Sequence, residues 1–311
     1  MKKRVLCILC AALMLLTACG KKEEPQSDTR LSVLTTTYPL YTVARSLTEG
    51  VDGVVVERLA TGNISCLHDY TLSVGDMKMI EGADLIAING VDLEAFMSDA
   101  LAAAQAPVVD TSAGVELLEN LAHHHEEGDD HDHGHYDPHI WMDPDNLSTM
   151  AENLAEALAS ADPDNKDKYS ANLEAVEQAI DACEEQMEET LAKISDGEVG
   201  GLITFHDGFQ YFAHAFELPL LAAIEEEAGS EASAKEINDI TALVKEHHIP
   251  VIFTEKNGSD ATAQAIARET GCAVMELDML MSGSGECVQD YLDGLSANLT
   301  TVVNGFAAAQ G

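Results

Sequence analysis

"LSVLTTTYPLYTVARSLTEGVDGVVVERLA", residues 31–60, contains two short runs rich in β-branched residues on either side of a stretch with helical periodicity that ends at Gly50. The runs are typical of buried strands, and the stretch between them is typical of a helix. A strand, a helix and a second strand of these lengths form a crossover unit that places the two strands parallel in one sheet. This part of the chain therefore predicts an α/β fold.

The same alternation extends on both sides of a long polar segment. Residues 31–120 continue with "VGDMKMIEGA", "DLIAING", "DLEAFMSDALAAAQ" and "PVVDTS", and residues 201–280 repeat the pattern from "GLITF" to "AVMEL". We expect two lobes, each a parallel sheet flanked by helices. The predicted division is an N-terminal lobe at 30–145, a helical region at 146–195 and a C-terminal lobe at 196–311.

One helix is predicted to join the lobes. "DPDNKDKYSANLEAVEQAIDACEEQMEETLAKI", residues 162–194, has apolar residues at steps of three and four, and Asp162 before Pro163 is typical of an N-cap. Such a rigid helix of about 30 residues would be about 45 Å long. A coiled-coil partner for this segment is the competing interpretation.

The charge of the chain restricts its partners. Sixteen basic residues against 55 acidic ones give a formal net charge of −39. This field repels phosphate, so it argues against nucleic acid and against anionic membrane surfaces as partners. Cations are the ligands that such a chain attracts.

The first residues predict export. "MKKRVLCILCAALMLLTACG", residues 1–20, has a basic start, a short apolar stretch and small residues before Cys19. Its "LTAC" ending resembles a bacterial lipobox, which predicts a signal peptide at 1–18, lipidation of Cys19 and a tether at 19–29. The chain would then be anchored by lipid on the extracytoplasmic face of the cell membrane. An ordinary secretory signal cut nearby is the alternative.

Four cysteines remain beyond Cys19, and they are Cys66, Cys183, Cys272 and Cys287. Their spacing contains no C-x-x-C zinc pattern. A disulfide between Cys272 and Cys287 would be possible in an oxidising location, but spacing alone leaves the pairing open.

Four candidate metal ligands follow predicted strands or the histidine-rich stretch, and they are His68, His139, His206 and Asp278. Open α/β sheets bind ligands beyond the carboxyl ends of their strands, so two ligands from each lobe can meet in the cleft between the lobes. Three imidazoles and one carboxylate form a tetrahedral set that suits zinc. Taken singly, each histidine has an alternative role in capping or hydrogen bonding, and the Cys66 thiolate is a competing ligand.

A second group of histidines lies in a run of acidic residues at 122–137. The group consists of His123, His124, His125, His131, His133 and His135, mixed with Glu126, Glu127, Asp129, Asp130, Asp132 and Asp137. The run has almost no apolar residues, which predicts a surface loop that binds metal weakly because binding must order the chain. His139 differs, since the apolar residues in "IWMDP" follow it.

The chain after residue 30 resembles the zinc- and manganese-binding solute-binding lipoproteins of bacterial ABC transporters. The resemblance rests on the lipobox, "SCLHDYTLSVGDMKMIEGADLIAING", "DPHIWMDP", "ITFHDGFQYFAHAFEL" and "PVIFTEKNGSDATAQAIARETG" leading to "ELD". It implies a metal buried between two lobes and held by His68, His139, His206 and Asp278. It also implies a monomer without enzymatic activity, whose partners are a membrane permease and its ATPase.

The resemblance favours Zn²⁺, with Mn²⁺ as the alternative. Manganese-type members usually carry a glutamate where this chain has His206, and imidazole suits zinc whereas manganese prefers oxygen donors. The first motif departs from the proline-flanked "DPH" pattern that is common in the family, because it reads "SCLHDY". This departure leaves the shape of the loop around His68 and the role of Asp69 open.

Two other functions compete with metal capture for transport. A zinc hydrolase needs an open coordination position and a general base, but the chain has neither an H-E-x-x-H nor an H-x-H-x-D-H pattern. A fourth ligand at Asp278 would also close the site. In a surface zinc store or an adhesin, the histidine-rich loop would be the working part.

Overall fold

The computed structural model describes residues 29–59, 67, 70–120, 135–194, 199–225 and 232–308. The strands of the first sheet are β1 (Leu31–Thr35), β2 (Val54–Arg58), β3 (Leu85–Ile88) and β4 (Val108–Asp110). The strands of the second sheet are β5 (Leu202–His206), β6 (Leu220–Glu225), β7 (Val251–Glu255) and β8 (Ala273–Leu277). All the strand pairings in both sheets are parallel.

The two sheets share one topology. Their spatial orders are β2-β1-β3-β4 and β6-β5-β7-β8, so the first strand of each lobe lies between the second and the third. All five residues of β5 and all five of β7 are buried, as expected for strands with a helical layer on both faces. The prediction of two α/β lobes is confirmed.

The helices within the described ranges are α1 (Tyr38–Leu47), α2 (Val74–Gly82), α3 (Ser98–Ala103), α4 (Pro144–Ala161), α5 (Lys166–Leu191), α6 (Gln210–Ala215), α7 (Ala234–Glu246), α8 (Ala261–Thr270) and α9 (Val288–Ala308). Short 3₁₀ turns occupy Ala95–Met97, Ile140–Met142 and Pro163–Asn165. Ser73 and Ser233 start α2 and α7 through capping boxes, each with an acidic residue three positions later.

The long joining helix begins later than predicted. It is α5, which has 26 residues and is therefore about 39 Å long. Asp162 lies at the N-cap position with Pro163 after it, as predicted, but the helical turn that follows, Pro163–Asn165, is 3₁₀ and the Asp162 side chain makes no capping hydrogen bond. The Asp162 carboxylate instead accepts hydrogen bonds from the side chains of Arg30, Asn165 and Tyr169.

The last helix returns to the first lobe. No helix was predicted after residue 280, yet α9 has 21 residues and packs against α5, α1 and β8. The backbone N–H of Val288, at its start, donates to the Ser46 hydroxyl of α1 at 2.9 Å. The end of the described chain therefore completes packing that begins with α1.

Most buried side chains belong to one continuous hydrophobic core that draws on both lobes. It includes Val33 of β1, Trp141, Phe253 of β7 and Leu299 of α9. A smaller core around Ile252 lies under α7 and α8 of the second lobe. The two lobes therefore pack against each other through buried apolar side chains.

Two sequence-based expectations concern the environment of the chain. Within the described ranges, no helix combines the length and the apolar character that crossing a membrane requires. Cys183, Cys272 and Cys287 are free thiols, so Cys272 and Cys287 do not form a disulfide. Cys66, the signal peptide, Cys19 and most of the tether lie outside the described residues.

Candidate metal centre

His206 is the last residue of β5, and its side chain is 2% exposed. The turn after it depends on Gly208, because a Cβ atom there would lie 2.4 Å from Met279 Cε and 2.9 Å from His206 Cδ2. Both distances are shorter than van der Waals contact. The glycine thus allows the chain to pass directly over the imidazole and to confine it.

His139 is held from its other side by Asp137. The Asp137 Oδ1 atom lies 2.6 Å from His139 Nδ1 and accepts the backbone N–H of His139 at 2.9 Å. A carboxylate only accepts, so the Nδ1 atom carries the proton and Nε2 is the ring nitrogen that carries the lone pair. The interpretation of Asp137 as part of an exposed loop is wrong, because this residue is 3% exposed.

The two imidazoles meet with their Nε2 atoms 3.3 Å apart and their planes at 86°. Two nitrogens bound to one tetrahedral zinc at about 2.05 Å are themselves about 3.3 Å apart. The Nδ1 atom of His206 is buried and has no hydrogen-bond partner within the described ranges. The pair therefore presents two buried nitrogens at the separation that a shared metal ion requires.

Trp141 fixes the position of His139 relative to the second lobe. Its ring lies 5.1 Å from the His139 ring, centroid to centroid, and its Nε1–H donates to the backbone oxygen of Met279 at 2.9 Å. The Tyr291 hydroxyl of α9 donates to the backbone oxygen of Trp141. Trp141, Ile140 and Met142 are fully buried, which confirms that the apolar residues after His139 hold it in place.

A buried acid supports the backbone just before His139. Glu94 accepts hydrogen bonds from the Thr36 hydroxyl at 2.6 Å and from the backbone N–H of Asn89 at 2.8 Å. The Asn89 amide in turn donates to the backbone oxygen of Pro138 at 2.9 Å. Burial raises the pKa of Glu94 to about 7. The ends of β1 and β3 are thereby connected to the segment that carries His139.

Asp278 directly follows β8 and lies apart from the imidazole pair. Its Oδ2 atom accepts a hydrogen bond from Lys256 Nζ at 2.8 Å, and its Oδ1 atom accepts the Leu280 N–H at 2.9 Å. Asn298 of α9 contacts the Asp278 backbone at both its N–H and its carbonyl. In the part of the chain that the structure describes, no three His, Cys, Asp or Glu side chains are grouped to hold a metal.

The remaining predicted ligands fall mainly on residues whose placement is not described. His68, Asp69 and Cys66 lie outside the described residues, as do His123, His124, His125, His131 and His133. His135 is described, and its ring packs edge-on against Tyr136 with the centroids 4.7 Å apart. Its Nε2 atom lies 3.8 Å from a Glu119 carboxylate oxygen.

The residues on either side of the histidine-rich segment, 118–119 and 136–137, pair with each other, which the sequence did not predict. We call this pairing the base of the segment. Glu119 and Tyr136 form an antiparallel bridge, and the Asp137 N–H donates to the Leu118 carbonyl at 3.0 Å. The Tyr211 hydroxyl of α6 accepts the Leu118 N–H at 3.0 Å. The base is therefore connected to the second lobe and, through Asp137, to His139.

Sequence reasoning missed the supporting roles of Asp137, Asn89 and Lys256. The signal for Asp137 was its position two residues before His139, where an aspartate commonly folds back on the following backbone. Asn89 directly follows β3 and Lys256 directly follows β7. Both therefore lie just beyond the carboxyl end of a strand, as the predicted metal ligand Asp278 does. A lysine ammonium has no lone pair to offer a metal ion, so the pattern of metal ligands gives no signal for Lys256.

The family model for the periplasmic component A of the zinc-uptake complex, ZnuA, matches residues 33–305. The chain belongs to the ZnuA family. The match includes α5, both sheets apart from the first two residues of β1, and the positions of His68, His139, His206 and Asp278.

Individual relatives of the ZnuA-family chain agree with this assignment. The zinc-binding protein AdcA of Streptococcus pyogenes serotype M3 is 28% identical over 321 residues, covering 97% of this chain and 61% of the relative. The zinc-binding lipoprotein AdcA of Streptococcus pneumoniae serotype 4 is 26% identical over 308 residues, covering 96% of this chain and 60% of the relative. This chain thus spans about three-fifths of the length of these curated relatives.

A solved structure supports the fold directly. The crystal structure of ZnuA superposes with a TM-score of 0.75 at 27% sequence identity, covering 89% of this chain and 99% of that chain. The resemblance derived from the motifs is confirmed at the level of the family.

Proposed function

We propose that the chain is an extracytoplasmic receptor that captures zinc between its lobes and delivers it to an ABC permease driven by an ATPase. The observation that carries the proposal is the 3.3 Å separation of the His139 and His206 Nε2 atoms. It equals the separation expected for two ligands of one tetrahedral zinc, which is about 3.3 Å. The zinc binding named for the AdcA relatives supports the same cargo.

The complete ligand set is proposed to be His68, His139, His206 and Asp278. His139 and His206 form the pre-organised half, because both are buried and Asp137 fixes the tautomer of His139. For Asp278 to bind the same ion, its side chain must turn towards the imidazoles, and the contact with Lys256 must weaken or break. Metal binding would therefore change the position of Asp278 more than that of either histidine.

Zinc is the proposed cargo in preference to manganese. The third ligand position carries the imidazole of His206, and an imidazole-rich set favours zinc over the oxygen-preferring manganese ion. A tetrahedral set with four protein ligands leaves no open position for a reacting water, so we propose no catalytic role. This agrees with a family of transport receptors.

The histidine-rich segment is proposed to be an accessory collector of zinc. His123, His124, His125, His131, His133 and His135 offer many imidazoles within a short, acid-rich run of the sequence. Each zinc that binds there must also order the chain, so affinity per ion is lower than in the cleft. Lipidation at Cys19 would hold the receptor beside its permease, as the lipoprotein name of the Streptococcus pneumoniae relative supports.

The proposal is tested by elemental analysis of the purified protein followed by zinc titration against a competing chelator. We expect one tightly held zinc per chain, lost when His139 and His206 are both changed to alanine. His248→Ala is the matched control, because His248 is exposed and bonds only locally to the Lys245 carbonyl. A protein that retains no zinc, or a double variant that binds zinc as the unmodified protein does, would contradict the proposal.

Transport is tested separately from binding. Deleting the gene should impair growth on scarce zinc, and a copy encoding His206→Ala should not restore growth. Normal growth of the deletion strain in zinc-depleted medium would favour a zinc store or an adhesin instead.

A further inference from the structure

Lys256 and Asp278 are neighbours because of the register of the second sheet. Glu255 of β7 pairs with Leu277 of β8, so the next residue on each strand, Lys256 and Asp278, leaves the sheet at the same level. The Lys256 N–H donates to the Leu277 carbonyl at 2.9 Å, which extends the pairing by one hydrogen bond. The Lys256 ammonium then reaches Asp278 Oδ2 at 2.8 Å.

The two partners in this ion pair differ in freedom. The backbone of Asp278 is fixed by Asn298, which is 3% exposed and contacts its N–H and its carbonyl, so any movement of Asp278 is confined to its side chain. The Lys256 side chain is 59% exposed, and it carries its charge on a flexible four-carbon stem. The lysine is therefore the partner that can leave with little disturbance of the fold.

We propose that Lys256 is an internal cation that competes with the metal for Asp278, weakening capture and speeding release. The inference rests on the proposed function, in which Asp278 binds zinc. The ammonium group reduces the negative potential that the Asp278 carboxylate offers to zinc, and the two cations repel each other at short range. Zinc binding at Asp278 therefore weakens or breaks the Lys256 contact, and the lysine is ready to restore it when the ion leaves.

The test compares Lys256→Gln with Lys245→Gln. Lys245 of α7 is a matched control, because it is similarly exposed, lies 3.8 Å from Glu269 and changes the net charge equally when replaced. Zinc affinity is measured by chelator competition, and zinc release is measured by stopped-flow transfer to excess chelator. For Lys256→Gln we expect binding about fivefold tighter and release slower by a similar factor, as the measured strength of exposed ion pairs implies. For Lys245→Gln we expect a change of less than about twofold.

A double-mutant cycle shows whether the lysine acts through Asp278. Lys256→Gln in an Asp278→Asn background should leave the zinc affinity unchanged, and circular dichroism should confirm that each variant is folded. Equal affinity of Lys256→Gln and the unmodified protein, weaker binding by Lys256→Gln, or an undiminished gain in the Asp278→Asn background would overturn the inference. Absence of tight zinc binding in the unmodified protein would instead overturn the proposed function, and this inference with it.

Discussion

Asp137 should control how well His139 binds zinc, although it is not itself a ligand. It is 3% exposed and accepts two hydrogen bonds from His139, at 2.6 Å to Nδ1 and at 2.9 Å to the backbone N–H. A carboxylate in this position fixes the ring orientation, holds the proton on Nδ1 and increases the basicity of Nε2. Loss of such an outer contact typically weakens metal binding by about 10- to 100-fold.

Two substitutions of Asp137 should weaken zinc binding to different extents. Asp137→Asn keeps an acceptor of similar shape but loses the charge, so we expect zinc binding about tenfold weaker. Asp137→Ala loses the acceptor as well and frees the ring, so we expect a loss of about 100-fold. These losses correspond to about 1.4 and 2.7 kcal/mol of binding free energy.

Chelator competition would measure both variants beside Asp110→Asn. Asp110 is a matched control, because its Oδ1 also accepts the backbone N–H two residues later and a second hydrogen bond from the side chain of the same residue, Ser112. It lies on the surface at the end of β4, so zinc affinity should change less than about twofold. If Asp137→Ala binds zinc within twofold of the unmodified protein while remaining folded, the orienting role of Asp137 is refuted.

Three further predictions concern metal choice, the accessory loop and pH. His206→Glu should shift the zinc-to-manganese affinity ratio towards manganese, because it introduces a hard oxygen donor. Competition between the two ions measures this ratio, and an unchanged ratio would contradict the prediction. Deleting residues 123–135 should remove weakly bound zinc and preserve one tight site, as calorimetric titration would show, whereas loss of the tightest site would identify the loop as the main site. Glu94 has its pKa raised by burial from 4.5 to about 7, so its stabilising contribution is complete below pH 4.5 and is lost as the pH rises through 7. The free energy of unfolding of the unmodified protein, measured in urea, should therefore fall by about 3 kcal/mol over that range, and that of Glu94→Gln should not. Parallel pH profiles of the two proteins would count against the raised pKa of Glu94.

The sequence predicted the fold because alternating periodicities are local properties. "GLITF" was recognisable as a buried strand, and it placed His206 at the strand end where β5 terminates. The contacts of the Asp162 carboxylate could not be predicted from the sequence, since those with Arg30 and Tyr169 depend on how separate segments of the chain pack together. Local rules also favoured a cap wherever an aspartate precedes a proline.

The candidate site was predictable in its residue types but not in its geometry. His139 and His206 were selected separately, and nothing in the sequence gives the 3.3 Å between their rings. The burial of Asp137 could not be predicted, because this residue is acidic and directly follows an acid-rich run that is typical of an exposed loop. The Lys256–Asp278 contact follows from the register of β7 and β8, which depends on how two strands align in three dimensions.

The packing of α9 against α1 has a consequence for the order in which the molecule is built. Residues 38–47 leave the ribosome about 240 residues before the helix at 288–308 that covers them. Contacts between such distant segments are slow to form, because a long loop must close before they contribute any stability. The surface of α1 that α9 covers therefore stays uncovered until residues 288–308 have been made. The packing around α1 is therefore completed only by a helix that lies about 240 residues further along the chain.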